Sequence, residues 1–519
     1  MSDYQPKYVA PRGPGRPPKR ADLEIPIKEF WTGVDTFFDS TSIDGPTRLC
    51  FNTRNFEGSS LDRRLGSALK GSAGDVGSVY GQMVLQQSNG SDIHLRLVDG
   101  AGAGVQLQKW NGSSWADLGS NIGTSDDRVD WSWTYVQIGG EDRVYFTNGV
   151  SDLRYTNGTT VSTVADTKGK YITTKENILV LGCMKDIYPE NAFVWSKADS
   201  HQFYLDNEDY ATSSLVAYVD GPITGVKSFN WLIYTFTEAD GLFETDISSS
   251  PAPRKISTHG TMAPKSIAVG FDCMIWADQY RIWQLPIGGD VMPISKSIDK
   301  VYKEITAANF FTMAGGMNAS EQYELHVGDL TFEGVAYENV TFIYEIEQSR
   351  FNGKNVWRID TDKIFANNLV TVADEYGFFN TYYGSRTNQS VYQTDVGSQD
   401  SGSNIAMTWI SKDFPIVSEN SESTVGDIYI RYTPLGADEI PVTLYVRKDT
   451  ETWQDMGTFN LPVGSSSIKM QRIPGLKGVT GRTAAVKLVS TSNLATSIKQ
   501  ILITYSYNES QLPTLAPEP

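Results

Sequence analysis

The side chains able to carry acid–base or metal chemistry are few and scattered in this 519-residue sequence. The histidines stand far apart and without the spacing of metal ligands, at His94, His201, His259 and His326. His94 alternates with apolar neighbours, which predicts a surface position on a half-buried strand. No Gly-x-Ser-x-Gly elbow, His-Glu-x-x-His helix or glycine-rich phosphate loop is present. We therefore expect no catalytic residue, no metal site and no cofactor, and a protein that is not an enzyme.

Two acidic clusters are the remaining candidates for ligand binding. Asp206, Glu208 and Asp209, in the run LDNEDY, carry the hard oxygen atoms that Ca²⁺ prefers. Asp360 and Asp362, in RIDTDK, form a second acidic pair. For both clusters a solvated acidic loop is the interpretation we favour. Paired carboxylates for glycoside hydrolysis cannot be recognised in a sequence, because a fold can bring any two acids together.

The elements around these side chains are best seen in residues 141–158, EDRVYFTNGVSDLRYTNG. VYF predicts a short strand, TNG a turn, LRY a returning strand and NG a second turn, because Asn and Gly tolerate positive φ. This is half of a four-stranded antiparallel meander. Equivalent strands start at 144, 178, 232 and 274, so the steps are 34, 54 and 42 residues. Their mean of about 43 lies within the period of β-propeller blades.

The fold class that these patterns predict is all-β. We expect an irregular propeller of six or seven blades over residues 23–400, beginning with an extended N-terminal lead-in. A Ser/Gly linker at 399–403 is followed by an antiparallel β-sandwich of jelly-roll or immunoglobulin-like kind at 404–507. Residues 1–22 are expected to form a flexible basic arm rich in Pro and Gly, and residues 508–519 a flexible tail.

Composition limits the possible partners. The net charge of −17 argues against tight binding to duplex DNA, whose phosphates would be repelled. Such a charge suits a lumen through which a polyanion slides, although acidity for solubility is an equal alternative. Cys50, Cys183 and Cys273 are scattered and predict neither disulfides nor a zinc site. Without an apolar signal core or a run of 18 apolar residues, we expect assembly in a cytosol and no membrane insertion.

The N-terminal run PRGPGRPPKR is basic within an acidic protein. Its charges are Arg12, Arg16, Lys19 and Arg20. The Gly-Arg-Pro core around Arg16 resembles the AT-hook, in which an extended arginine lies in the minor groove. One hypothesis is therefore an arm that contacts DNA. We favour the alternative, in which the arm lies on an acidic neighbouring subunit and becomes ordered on assembly.

Residues 52–67, NTRNFEGSSLDRRLGS, carry a family resemblance. They resemble a Gly-x-Leu-x-x-Arg-x-Gly phrase that precedes a propeller in bacteriophage virion proteins, such as the nozzle or hub proteins of short-tailed phages. Leu61, Arg64 and Gly66 match its spacing, whereas Gly58 falls one residue too early. The closing stretch, from residue 409 to residue 505, is similar to the same proteins.

The resemblance implies a non-enzymatic structural component of a phage virion. The expected role is a tail nozzle or hub subunit in a symmetric homo-oligomeric ring, a hexamer, around the DNA exit channel. Its expected partners are other tail, adaptor or portal proteins, with viral DNA passing through without specific binding. We expect the mature protein in the phage tail, after assembly in the host cytoplasm.

Two alternatives remain open at this stage. The first is a receptor-binding or glycan-binding tail protein, with aromatic side chains as sugar platforms. The candidate platforms are Trp110, Trp115, Trp131 and Trp133, although the same residues also suit packing between blades. The second alternative is a capsid-surface decoration protein, which explains the repeating meanders less well.

Overall fold

The computed structural model divides the chain into two compact units. Unit 1 contains Met1–Gly66, Val356–Asp360 and Gly397–Pro519, and unit 2 contains Ser67–Asn355 and Thr361–Val396. The residues that the structure describes are 23–27, 35, 47–54, 60–74, 76–88, 90, 92–100, 104–118, 122–124, 126, 128–184, 188–201, 215–361, 363–374, 376–415, 423–434, 438–449, 452–463, 468–474, 480–492 and 496–507.

The described elements are short strands with a few short helices. In chain order the first strands are β1 (Leu23–Ile27), β2 (Thr47–Phe51), β3 (Thr53–Arg54), β4 (Leu61–Arg63), β5 (Ser67–Leu69), β6 (Val79–Gln86), β7 (Asp92–Asp99), β8 (Val105–Trp110), β9 (Trp115–Asp117), β10 (Ser132–Ile138), β11 (Glu141–Thr147), β12 (Leu153–Thr156), β13 (Val161–Val164), β14 (Tyr171–Lys175), β15 (Ile178–Gly182), β16 (Ala192–Trp195), β17 (Val216–Tyr218), β18 (Ile223–Phe229), β19 (Leu232–Thr237), β20 (Leu242–Asp246), β21 (Ser250–Ser257) and β22 (Ala268–Val269). They are followed by β23 (Cys273–Ala277), β24 (Ile282–Pro286), β25 (Met292–Pro293), β26 (Ala314–Met317), β27 (Tyr323–Phe332), β28 (Val335–Tyr344), β29 (Trp357–Asp360), β30 (Ala366–Ala373), β31 (Phe379–Ser385), β32 (Val391–Thr394), β33 (Gln399–Asp400), β34 (Ser403–Asn404), β35 (Met407–Ser411), β36 (Phe414–Pro415), β37 (Ser423–Pro434), β38 (Ile440–Lys448), β39 (Gln454–Leu461), β40 (Lys469–Ile473), β41 (Thr480–Gly481), β42 (Thr483–Ser490) and β43 (Thr496–Tyr507). The α-helices are α1 (Asp299–Tyr302), α2 (Ala307–Thr312) and α3 (Ile346–Asn352).

Unit 2 is a series of small antiparallel sheets, which we name A to G in chain order. Sheets A (β6–β9), B (β10–β13), C (β14–β17), D (β18–β21) and E (β22–β25) each consist of four consecutive strands. Sheet F contains β26, β27 and β28, and sheet G contains β30, β31 and β32 with β5 paired to β32. The prediction of an all-β chain with four-stranded meanders is therefore confirmed, and the unit is propeller-like.

Asparagine and glycine set the hairpin turns of sheet B, as the sequence predicts. Asn148 Oδ1 accepts hydrogen bonds from the backbone N–H groups of Val150 and Ser151, at 2.9 and 3.0 Å. Gly149 follows with φ +78°, a conformation that costs little without a Cβ atom. Asn157 Oδ1 closes the next turn in the same way. The turn between β11 and β12, and that between β12 and β13, are thus specified locally.

Each sheet of unit 2 packs against the next in cyclic order. Apolar clusters join neighbouring sheets, and each cluster contains buried residues of both. Examples are Leu97 and Phe146 (A and B), Tyr145 and Leu181 (B and C), Phe193 and Ile233 (C and D), Phe236 and Trp276 (D and E), and Val370 and Val98 (G and A). Hydrogen bonds extend the order through sheet F. Tyr323 Oη donates to the Ser266 carbonyl at 2.8 Å, and Thr371 Oγ1 donates to the Met317 carbonyl at 3.0 Å.

A polar cluster lies where sheet G meets sheet A. Immediately after β5, Lys70 Nζ lies 3.0 Å from His94 Nδ1 and 3.7 Å from the centre of the Tyr382 ring. His94 Nε2 lies 2.8 Å from Gln82 Oε1, and the Gln82 amide donates to Asn368 Oδ1 at 2.7 Å. This chain of contacts connects β5, sheet A and sheet G. Burial lowers the pKa of Lys70 to about 7.

His94 corrects one prediction from the sequence. It is buried and not on the strand surface. The centre of its ring lies 5.1 Å from that of Trp115, in an edge-on contact, and 4.9 Å from that of Tyr382, in a tilted contact. Burial, followed by the nearby charges of Lys70 and Arg96, holds the pKa of His94 well below its usual value. The histidine therefore belongs to the contact between sheets A and G.

Unit 1 contains two larger sheets. One has the order β3-β4-β43-β37-β40, with β1 on β43 and β41 on β37, and the other contains β29-β2-β35-β42-β38-β39, with β36 on β42. The nine described strands from β35 to β43 occupy the region that the sequence assigns to a sandwich. Residues 23–66, assigned from the sequence to the propeller as a lead-in, lie instead in unit 1. The reason is strand pairing: β1 and β4 pair with β43, and β2 pairs with β35.

The helices are short. The longest of those that the structure describes, α3, has seven residues. In the described part of the chain no helix has the length and apolar character needed to span a bilayer.

The contact between sheets G and A should make stability depend on pH through Lys70. The folded-state pKa of about 7 lies below the ordinary value of 10.5, so between these values the unfolded chain binds a proton that the folded chain does not. The free energy of unfolding should therefore rise with pH in this window, by up to about 1.4 kcal/mol per pH unit from this group. Lys70→Met should remove that contribution, which urea unfolding from pH 7 to pH 10 would measure. If the free energy of unfolding changed with pH in the same way in wild type and Lys70→Met, the lowered pKa of Lys70 would be contradicted. Lys300→Met, at an exposed position, is the control for loss of one positive charge.

Candidate functional site

Unit 2 contains a cavity of about 1660 Å³. It is lined by the first strand of every sheet from A to G. The first strands of sheets B and C run side by side in the same direction. Ser132 of β10 exchanges hydrogen bonds with Ile172 of β14, and two residues further along Thr134 Oγ1 lies 3.0 Å from Thr174 Oγ1. The cavity is therefore a consequence of the cyclic packing.

A cluster of charged and amide groups lies at one end of the cavity. Lys265 Nζ lies 2.8 Å from Asp130 Oδ2 and also donates to Asn367 Oδ1. Asn367 in turn donates to Asp130 Oδ1 at 2.9 Å and accepts a hydrogen bond from Arg386 at 2.8 Å. Burial lowers the pKa of Lys265 to about 8, although Asp130 opposes that shift. These charges satisfy one another.

An ion pair at the cavity has exposed aromatic residues next to it in the sequence. Arg350 Nη2 pairs with Asp272 Oδ2, and both residues line the cavity. Phe271 is 92% exposed and Phe351 is 90% exposed. Phe271 also lines the cavity.

The middle of the cavity wall consists mainly of hydroxyl and apolar groups. Thr134 and Thr174 bond to each other, and the Ser228 N–H donates to Thr173 Oγ1 at 3.0 Å. Lys227, in β18, is the one charged residue within the first strands that lines the cavity, counting only residues that the structure describes. Burial lowers its pKa.

A buried ionic cluster between sheets F and G resembles acid–base machinery. Tyr383 Oη and Asn318 Nδ2 donate to the Glu324 carboxylate, and Lys363 Nζ lies 3.5 Å from it. Burial raises the pKa of Glu324, but Lys363 and His326 outweigh it and bring the value to about 2. Glu324, His326 and Lys363 are all buried and none lines the cavity. No local pattern in the sequence indicates this cluster, because Glu324 and Tyr383 alone are 59 residues apart.

Arg64, a residue of the phage-like phrase, lies in the interior of unit 1. Arg64 is 2% exposed. Its guanidinium donates to Asn52 Oδ1 at 2.8 Å and to both carboxylate oxygens of Asp400, with Asp360 Oδ2 at 3.8 Å from Nε. Asp360 is thus buried beside Arg64, and the prediction of a solvated acidic loop is wrong at this position.

The other described members of the phrase also have core roles. Leu61 is 1% exposed and pairs with Ile498 of β43. At Gly66 a Cβ atom would lie 2.0 Å from the Gln399 carbonyl oxygen, so only glycine fits there. The following predicted site residues lie outside the described part of the chain: Arg12, Arg16, Lys19, Arg20, Gly58, Asp206, Glu208, Asp209 and Asp362.

The predicted sugar platforms pack within unit 2. The rings of Trp110 and Trp115 meet edge-on at 5.3 Å, and Trp131 packs against Phe146 at 5.5 Å. Trp133 borders the apolar clusters of sheet A with sheets B and G. These contacts favour the packing interpretation for all four tryptophans.

The remaining histidines and cysteines form no metal centre in the described residues. His259 stacks on Trp283 at 3.6 Å, and His201 stacks on Tyr155 at 5.5 Å. Cys50, Cys183 and Cys273 form no disulfide with any residue that the structure describes. Throughout the described ranges, no three His, Cys, Asp or Glu residues are grouped to hold a metal ion.

Comparison with known proteins adds little beyond the architecture. No protein-family model and no curated protein matches the chain. The WD40 β-propeller domain of Doa1 is similar at 11% identity and a TM-score of 0.40, over 64% of this chain and 98% of that domain. A chain of the Mitotic Checkpoint Complex is similar at 10% identity and a TM-score of 0.40, over 66% of this chain and 96% of that one.

A third similarity covers only part of its counterpart. The extracellular domain of a proposed one component system from B. thetaiotaomicron has 12% identity and a TM-score of 0.37, over 70% of this chain. The chain spans 43% of that protein's length. At these TM-scores none of the three similarities supports an argument about function.

Arg64 provides a test of the core of unit 1. Arg64→Met should lower the free energy of unfolding of this unit by about 3–5 kcal/mol, because Asp400 and Asp360 would keep buried charges without the guanidinium. Arg472→Met is the matched control. Arg472 pairs with Asp427 at 2.6 Å on the surface of the same unit, so its loss should change the free energy of unfolding much less. Urea unfolding followed by fluorescence would contradict this role of Arg64 if both variants lost the same stability.

Proposed function

We propose that the protein is a non-enzymatic structural component of a phage virion, a tail nozzle or hub subunit. In this proposal, sheets A to G are the seven blades of a closed propeller and unit 1 is a β-sandwich. The observation that carries the proposal is the role of the phage-like phrase. Leu61, Arg64 and Gly66 are each buried core positions of unit 1, which supports a structural signature shared with such proteins.

The structural partners of two ionic clusters support a structural role. The strongest acid–base cluster in the described residues, around Glu324, is sealed between sheets F and G. The Lys265–Asp130 pair lies at the cavity, but its members neutralise each other and bind Asn367. Both arrangements connect sheets of unit 2. This structural role explains why the charged residues are present and does not require a catalytic role.

Assembly in a ring would give the acidic composition a use. A closed propeller leaves its side faces and turns free for contacts with copies of itself. We propose a hexameric ring whose acidic walls repel transiting viral DNA, attached to other tail, adaptor or portal proteins. The basic arm of one subunit, carrying Arg12, Arg16, Lys19 and Arg20, would bind the acidic surface of its neighbour. The site of assembly would be the host cytoplasm.

A second candidate function is binding to a host receptor or glycan. Exposed aromatic side chains favour it: Trp231, Phe271 and Tyr376 are 70%, 92% and 78% exposed. Each lies in the turn that follows the first strand of its sheet, in sheets D, E and G. Of the three, Phe271 also lines the cavity. Aromatic rings presented in this way stack on sugar faces or apolar side chains.

The ring proposal is tested with the purified full-length protein. Negative-stain microscopy and native mass spectrometry should show a closed ring, and particles lacking the protein should fail to build a functional tail. Changing Arg12, Arg16, Lys19 and Arg20 to Glu should weaken the ring, because like charges would then meet. Exchanging Arg for Lys, and Lys for Arg, at these four positions keeps the charge and should preserve the ring. A monomeric wild-type protein, or normal tails without the protein, would refute the proposal.

Host-cell binding separates the two candidate functions. If the exposed aromatic residues recognise a receptor, the isolated protein should bind host cells and Phe271→Ser should reduce binding by roughly 10-fold or more. Phe271 is almost fully exposed, so its loss should leave stability unchanged. Trp110→Phe, at a packed position, is the control and should bind as wild type does. Rings without cell binding would exclude the receptor function.

A further inference from the structure

Lys227 differs from the other cations that line the cavity of unit 2. It lies on β18, between the buried residues Val226 and Phe229, and its side chain is only partly exposed. Lys265 is paired with Asp130 and Arg350 with Asp272. Lys227 makes no hydrogen bond or ion pair with any residue that the structure describes.

The carboxylates of the cavity lie away from the first strands. They belong to turns and to α3, at Asp130, Glu190, Glu238, Asp272, Glu321 and Glu347. The wall beside Lys227 is instead formed by neutral groups such as Thr173 and Ser228, which are hydrogen-bonded to each other. Burial is the cause of the lowered pKa of Lys227, with no contribution from a neighbouring charge.

An ammonium group in such a position carries a free-energy cost. Removing a charge from water without a counter-ion is unfavourable, and the group either loses its proton or acquires an anion. A bound anion would supply the missing counter-charge, and a charge-assisted hydrogen bond in a partly dehydrated site is stronger than one on the surface. Lys227 is thus prepared for a negatively charged ligand.

We propose that the cavity of unit 2 is a binding site for a small oxyanion, with Lys227 as its charge-binding residue. This inference goes beyond the structural role proposed above and does not depend on it. The ligand class is an organic acid or a phosphate compound, whose carboxylate or phosphate oxygen atoms contact the ammonium group. The hydroxyl groups of Thr134 and Thr174 and the ring of Tyr135 line the same cavity and offer contacts for the rest of the ligand.

The size of the cavity agrees with an organic ligand. Typical small-molecule sites occupy about 300–1,000 Å³, so about 1660 Å³ admits a ligand together with ordered water. On the first strands that line the cavity, Lys227 is the one charged residue among those that the structure describes, and the wall beside it is neutral and polar, which favours a single strongly bound anionic group there. Phosphate and citrate therefore serve as probes of the two oxyanion types.

The test measures binding of inorganic phosphate and of citrate to the full-length protein by isothermal titration calorimetry, at constant ionic strength. Wild type should bind at least one of the two at millimolar concentration or tighter, and the preferred probe identifies the type of oxyanion. Lys227→Met should weaken that binding by about 10- to 100-fold, which corresponds to loss of one charge-assisted hydrogen bond. Lys227→Arg should retain most of it.

Lys170→Met is the matched control. Lys170 also lines the cavity, but it is exposed and lies just before β14. Its replacement removes the same charge and should leave the affinity within about 2-fold of wild type. Absence of binding by wild type would overturn the proposal, as would equal affinities of wild type and Lys227→Met. Equal losses in Lys227→Met and Lys170→Met would also overturn it, because they would indicate a non-specific charge effect.

Discussion

The structure of unit 2 depends on closing a series of small sheets into a cycle. A four-stranded sheet has two faces to bury, and one neighbour covers only one of them. Cyclic packing gives every sheet two neighbours, and the Val98–Val370 cluster joins the last sheet to the first. In sheet G, β32 pairs with β5, a strand that precedes sheet A in the sequence. The chain therefore closes by hydrogen bonding as well as by apolar contact.

Buried polar clusters determine which surfaces can meet. The Lys70–His94–Gln82 chain lies between sheets A and G, and the Glu324 cluster lies between sheets F and G. Arg64 has the same role within unit 1. A buried polar group is costly unless its particular partner is in place, so an incorrect neighbour would leave these groups unsatisfied. Apolar clusters supply stability that many pairings could share, whereas these contacts add specificity.

The sequence predicts what is specified locally. The turns at Asn148 and Asn157 were predictable, because each asparagine bonds to backbone within three residues. Burial of His94 was not, because its partners Lys70 and Tyr382 come from distant parts of the chain. The burial of Asp360 was not predictable either. Its acidic stretch indicates a solvated loop unless Arg64 is known to lie beside it. Assignment of residues 23–66 to unit 1 likewise required knowledge of their pairing with β43 and β35.

The distinction between charges used for closure and charges left over gives a criterion for function. Lys265, Arg350 and Lys363 all have counter-charges, so their positions are explained by the fold alone. The same explanation fails for Lys227, because a Thr or Ser at this position would match the neutral wall and avoid the cost of a buried ammonium group. The exposed Phe271 is equally unnecessary for folding, since solvent surrounds it. Lys227 and Phe271 do not make the fold more stable. Their positions are therefore where selection for binding is to be sought.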